Sequence, residues 1–249
     1  MPAKRRGLRA LRTFKLLLFL GGAAFCGLLL FGYSRNHPED LPWTKLDLAR
    51  PIGAFTGRKL ADLGGEGDRC KALLGRAGIA YNSLPPRSPG DQCGYDDAVR
   101  FTRGGPLGIV YRPADLGTSC PVAAALALWE WNVVQPAALK HFGEPVAVID
   151  HFGSFSCRRL YGRSEGAWSE HATANAVDIA AFRLEDGRRI SIVGDWKGEE
   201  VEAQFLREVR DGACRLFATV LSPDYNAAHR DHLHLDQAAR GALGWRACR

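Results

Sequence analysis

The chain has 249 residues, of which 46% are hydrophobic, 24% charged and 10% aromatic, enough for one domain with a real core plus appendages. That balance excludes a disordered, collagen-like or multi-spanning membrane protein. The formal charge of +6 would suit an acidic polymer as partner, but its placement argues otherwise: Lys4, Arg5, Arg6, Arg9, Arg12 and Lys15 crowd residues 1–15, which hold no acid. Setting these six aside from the 33 basic groups leaves 27, equal to the 27 acids. The remainder is formally neutral and gives no reason to expect nucleic acid as a partner.

After this basic tail, residues 16–34 (LLLFLGGAAFCGLLLFGYS) carry no charge over 19 positions. As a helix rising 1.5 Å per residue they just cross a hydrocarbon core of about 30 Å. The preceding cations predict an N-terminus in the cytoplasm and everything after Arg35 outside, hence a single-pass anchored protein with an exported domain. A cleaved signal peptide is the alternative, but the exit Phe31-Gly32-Tyr33-Ser34 is a poor small-x-small match. A lipoprotein signal is spoiled by Phe25 before Cys26.

Export agrees with the cysteines. Cys26 lies in the apolar segment, leaving Cys70, Cys93, Cys120, Cys157, Cys214 and Cys248, an even set without a C-x-x-C pair. An oxidising compartment makes three disulfides the natural reading. Cys70 and Cys93 bracket a loop-rich stretch and are expected to pair.

Residues 35–57 are polar, contain Pro38, Pro42 and Pro51, and read as a linker; the domain is expected over 58–249. One helix ending in glycine and a second beginning near Asp68 are expected before Leu74. Residues 82–96, with three prolines and two glycines, read as loop, followed by a short strand at 107–111. The clearest helix opens at Ser119-Cys120-Pro121, a capping residue and a first-turn proline. It is apolar almost all round, as a central core helix would be, and Pro136 should end or kink it before a further turn at 137–141. Strands are expected at 145–149, 176–182, 189–193 and 232–235, with a helix near 200–217. Strands and helices in runs rather than strict alternation argue an α+β fold.

Two clusters carry chemistry. Ser169-Glu170-His171 through Val177-Asp178 sets a histidine and an aspartate seven apart, and His229-Arg230-Asp231-His232-Leu233-His234 holds three histidines. In a strand, His232 and His234 share a face. Catalytic zinc takes three ligands from His, Asp or Glu and keeps one position for water; His171, Asp178 and His234 supply that set, with His232 left beside it and His229 as an alternative ligand.

The segment SEHATANAVD resembles the S-x-H-x-x-G-x-A-x-D motif of the D-alanyl-D-alanine metallopeptidases, the superfamily that includes the hedgehog domain. Ser169, His171, Ala176 and Asp178 match, while Ala174 stands where the motif has glycine. With FGSFSCRR and AAHRDHLHLD, the block from about Cys120 to Cys248 is similar to the bacterial extensin-like C-terminal domain family. The resemblance implies a small, mainly antiparallel sheet with packed helices, Zn²⁺ held by His171, Asp178 and His234, and His232 as catalytic group with Asp231 as runner-up. It further implies Arg158 or Arg159 for a substrate carboxylate and Ser169 as an orienting hydrogen-bonding residue. The function so implied is zinc-dependent cleavage of peptidoglycan peptides, as carboxypeptidase or endopeptidase. The alternative is an inactive wall-binding or structural envelope module of the same fold.

Overall fold

In the computed structural model, which describes residues 2–102, 106–241 and 245–249, the chain is a long N-terminal helix followed by one α+β domain. Helix α1 (Pro2–Asn36) contains a 23-residue stretch, Phe14–Asn36, apolar and long enough to cross a membrane, and none of it is buried in the protein. Short helices α2 (Thr56–Ala61) and α3 (Gly67–Arg76) follow.

The region expected as plain loop contains short strands: β1 (Tyr81–Ser83), β2 (Arg87–Gly90) and β3 (Cys93–Tyr95), with β4 (Val99–Phe101) behind them. β2 and β3 form a small irregular hairpin and β1 pairs with β4. Proline and glycine do not forbid such ladders at an edge, where backbone groups need no second partner. The strand expected at 107–111 is β5 (Val110–Arg112).

Helix α4 (Cys120–Trp129) is buried along its whole length. Pro136 does not end it: the chain widens into a π turn at Glu130–Val134 and continues as α5 (Gln135–Phe142), with the proline in its first turn. There the missing N–H costs least. Then come β6 (Val146–Gly153), β7 (Ala176–Leu184), β8 (Arg189–Ser191), the single turn α6 (Ile192–Asp195), α7 (Val201–Ala213), β9 (Thr219–Leu221), β10 (Leu233–Asp236) and β11 (Ala247–Cys248).

The main sheet runs β11-β9-β10-β7-β6-β5, with β8 also on β7. Most pairs are antiparallel; β5 with β6 and β11 with β9 are parallel. Val177, Ile179, Leu233 and Leu235 enter the core on the helical side, where Trp129 meets Phe182, and Phe182 meets Phe205 edge-on. The Trp129 indole donates to the Val209 carbonyl of α7 at 2.8 Å. Alternation along a strand sends Asp178, His234 and Asp236 to the opposite face.

Three disulfides staple this domain: Cys70–Cys120, Cys93–Cys157 and Cys214–Cys248. The expected Cys70–Cys93 pair is therefore corrected. Cys70 is fully buried on α3 against the start of α4, whereas Cys93 lies on the hairpin packed over the loop after β6. Much of the stretch read as linker also packs onto the domain, since Leu46 and Leu48 belong to the core. Lys59 holds it there, donating from Nζ to the Pro38 and Glu39 carbonyls and to Thr44 Oγ1.

Beneath the sheet, Tyr111 on β5 donates to Glu130 Oε1 at 2.5 Å in the π turn. Burial outweighs that hydrogen bond and raises the Glu130 carboxyl to about 8.

Two outcomes follow from this packing. Leu48→Ala should cost about 2–5 kcal/mol in denaturant unfolding of the full chain, as for a buried core leucine; a loss below about 0.5 kcal/mol would mean the segment is only a tether. Glu130 is neutral in the fold up to about pH 8 and ionised above about 4.5 when unfolded. Its contribution is thus fully present below the lower value and lost as pH rises through the upper, at up to about 1.4 kcal/mol per pH unit. Glu130→Gln should flatten that slope in unfolding measured between pH 5 and 8, and an unchanged slope would refute the assignment.

Candidate metal centre

The antiparallel register of β7 and β10 sets Asp178 directly opposite His234, so their side chains leave the helix-free face together. His171 arrives from a short 3₁₀ turn, Glu170–Thr173, capped by Ser169, whose Oγ accepts from the His171 N–H at 3.3 Å. Ala174 closes this turn with φ +54°, a left-handed conformation that explains why glycine would suit the position. Its carbonyl accepts from Ser119 N at 2.8 Å, Thr118 Oγ1 at 3.0 Å and Ser154 Oγ at 3.1 Å. These three bonds hold a strained turn that carries a site residue.

The three side chains meet. His171 Nε2 lies 3.2 Å from His234 Nδ1 and 3.2 Å from Asp178 Oδ2, and His234 Nδ1 lies 3.0 Å from Asp178 Oδ1. Ligands on a tetrahedral zinc with bonds of 2.0–2.1 Å stand about 3.3 Å apart, so the triangle has the right edge. The far sides of both rings are occupied: His171 Nδ1 donates to the Ser154 carbonyl at 2.6 Å, and His234 Nε2 donates to Asp236 Oδ2 at 3.0 Å. Those partners fix opposite tautomers, leaving Nε2 of one ring and Nδ1 of the other as lone pairs aimed at one point. With both rings neutral, the two lone pairs and the carboxylate fit a divalent cation; in the metal-free cluster a proton on an inner nitrogen fills the same place.

The electrostatics agree. Burial alone would raise the Asp178 carboxyl, but hydrogen bonds from His171 and His234 outweigh it and hold it far below the ordinary range. Burial likewise opposes charge on His234, yet Asp178 and Asp236 on its two sides raise it to about 9.

His232 sits just before β10 with Nε2 3.6 Å from Asp178 Oδ1, beside the triangle. Asp231 stands behind it, its Oδ1 accepting from His232 Nδ1 at 2.9 Å. His229 is not part of the triangle: its Nδ1 bonds Asn226 Oδ1 at 2.8 Å and its ring packs 5.2 Å from that of His232. Burial, then the neighbouring His232 and His234, lower it to about 4.

A groove of about 780 Å³ runs along the same face from Ser169, Glu170 and His234 past Trp168, Tyr161 and Tyr225 towards Arg240 and Arg249. Arg158 is solvent-exposed, and Arg159 stacks on Trp168 with its guanidinium 4.5 Å from the ring centre. Sequence reasoning assigned no role to Asp236 or Ser154. Asp236 could have been found, being two residues past His234 and thus on its face. Ser154 acts through a backbone carbonyl, which no side-chain pattern encodes.

The extensin-like protein C-terminus family matches residues 68–249, and the chain belongs to that family. Comparison with curated proteins and with solved structures gives no match.

In protein stripped of metal, ¹⁵N NMR should find the His234 ring doubly protonated at pH 7, with a midpoint near 9. A neutral ring at pH 7 would contradict the double-carboxylate clamp.

Proposed function

We propose that the chain is a zinc-dependent peptidase related to the D-alanyl-D-alanine metallopeptidases, anchored by α1 in the inner membrane and acting on peptidoglycan peptides in the periplasm. The observation that carries this reading is the meeting of His171 Nε2, Asp178 and His234 Nδ1 with His232 Nε2 alongside. The basic tail ahead of the apolar helix supports an orientation with the domain outside the cytoplasm, and the three disulfides suit an oxidising compartment.

His171, Asp178 and His234 would hold the zinc, which when bound would supply a water acidified to a pKa of about 7 and a Lewis acid for the carbonyl oxygen. The chain's own residues supply the proton handling. With Nδ1–H donated to Asp231, His232 presents a bare Nε2 that can take a proton from the attacking water and return it to the leaving amine. Once protonated, the same Nε2 is a donor for the oxygen that gains charge on the scissile carbon. Asp231 therefore acts as the positioning residue for His232 rather than as its rival. The groove extends this site along the sheet, and the cations it offers a substrate carboxylate are Arg240 and Arg249, because Arg159 braces Trp168.

The test is digestion of purified muropeptides by the full chain in detergent. Chelation should abolish cleavage and zinc restore it, and His232→Ala should lower the rate by about 10²–10⁴-fold. Asp236→Asn should weaken zinc binding by about 10–100-fold in chelator competition. Full hydrolysis by His232→Ala would remove that residue from the chemistry. Zinc-loaded protein that binds muropeptides without cutting them would instead mark a binding module.

A further inference from the structure

From the collar of chain between α1 and α2, we infer a docking site for the headgroup of an anionic phospholipid; the inference rests on the reading of α1 as a membrane anchor. The apolar stretch Phe14–Asn36 has 23 residues, about 34 Å of helix, so it ends near the boundary of a hydrocarbon core of about 30 Å. Pro38 is two residues further on, within about 7 Å of the helix end. It already lines a cavity of about 600 Å³. The headgroup layer adds only about 5–8 Å to each side of the core, so the cavity opens in that layer.

The collar is joined to both of its neighbours. Tyr33 OH donates to Asp40 Oδ2 at 2.7 Å, joining the last turns of α1 to the collar. Lys59 Nζ and the buried Leu46 and Leu48 join the collar to the domain. Trp43 stands out from this loop, 77% exposed. Trp and Tyr side chains favour the membrane–water interface, where the ring is sheltered and the N–H or O–H stays wet, and Tyr33, near the end of α1, is half exposed.

The charge is complementary. Lys45, Arg50 and Arg76 line the cavity, are solvent-exposed, and make no ion pair among the described residues. Two carboxylates, Glu39 and Asp47, line the same cavity against four cations, Lys59 being the fourth; Glu39 Oε1 pairs with His37 at 3.1 Å and Asp47 accepts from Ala49 N at 3.0 Å, while Asp40 accepts from Ala54 N at 2.8 Å. Three cations with no partner surround a pocket floored by Leu46, Leu48 and Leu73. A lipid phosphate with the first carbons of its chains matches that combination of charge and apolar floor.

The experiment uses the full chain in nanodiscs of phosphatidylcholine, with or without phosphatidylglycerol. Hydrogen exchange at the Thr44–Arg50 amides should slow by about tenfold or more with the anionic lipid, and K45Q/R50Q/R76Q should abolish the difference. Each lost cation should reduce lipid affinity about fivefold. Trp43 fluorescence, taken as wild type minus Trp43→Phe, should be quenched by lipids brominated near the glycerol. Equal exchange in both lipids, or the same protection from inorganic phosphate in phosphatidylcholine discs, would overturn the lipid site. If alkaline carbonate strips the chain from the bilayer, the anchor reading falls, and the lipid site with it. Retention there without lipid-dependent exchange overturns the lipid site alone.

Discussion

The structure turns on one register: Asp178 of β7 opposite His234 of β10. A slip of either strand by one residue would send its ligand into the core face and bring Val177 or Leu235 to the other. The slip is prevented by the neighbours of the two ligands, since Val177, Ile179, Leu233 and Leu235 all pack against the helical layer. The apolar half of each strand thus fixes where the polar half points. The third group, His171, depends on the same register less directly, through a turn held by Ser119, Thr118 and Ser154 on the Ala174 carbonyl.

This arrangement separates stability from chemistry. α4 is buried throughout, and with α7 it covers one face of the sheet, leaving the other to His171, Asp178, His232, His234 and the groove. Burying two histidines and two aspartates so close together is costly unless each charge has a partner. Here Ser154 and Asp236 take the outer N–H groups, and the inner atoms of His171, Asp178 and His234 face one another within reach of the proposed cation. Such a cluster is a poor way to stabilise a fold and a good way to select an ion.

Much of this was legible in the residues. The metal set could be proposed because strand alternation relates His232 to His234, and because His171 and Asp178 sit in a recognisable motif. Helix α4 announced itself through Ser119, Pro121 and an apolar run. What stayed hidden was long-range. The Cys70–Cys120 pair depends on how α3 docks on α4, which the local loop around Cys93 does not report. The leucines at 46 and 48 lie among prolines and charges and look like tether until the core is assembled. Ser154 contributes a carbonyl, and the path of Pro136 through a π turn depends on packing around Glu130. The resemblance offered Asp231, three residues before His234, and His232, two before it, as alternative catalytic groups; in the structure their side chains are bonded to one another.

The central claim is that two imidazoles and one carboxylate hold a single zinc ion. X-ray absorption at the zinc edge of the loaded protein tests it most directly. Two nitrogen ligands of imidazole type at about 2.0–2.1 Å and one or two oxygens, with one ion per chain, are the result the account predicts. Sulfur at about 2.3 Å, or a first shell unchanged by Asp178→Asn and His234→Ala, would contradict it.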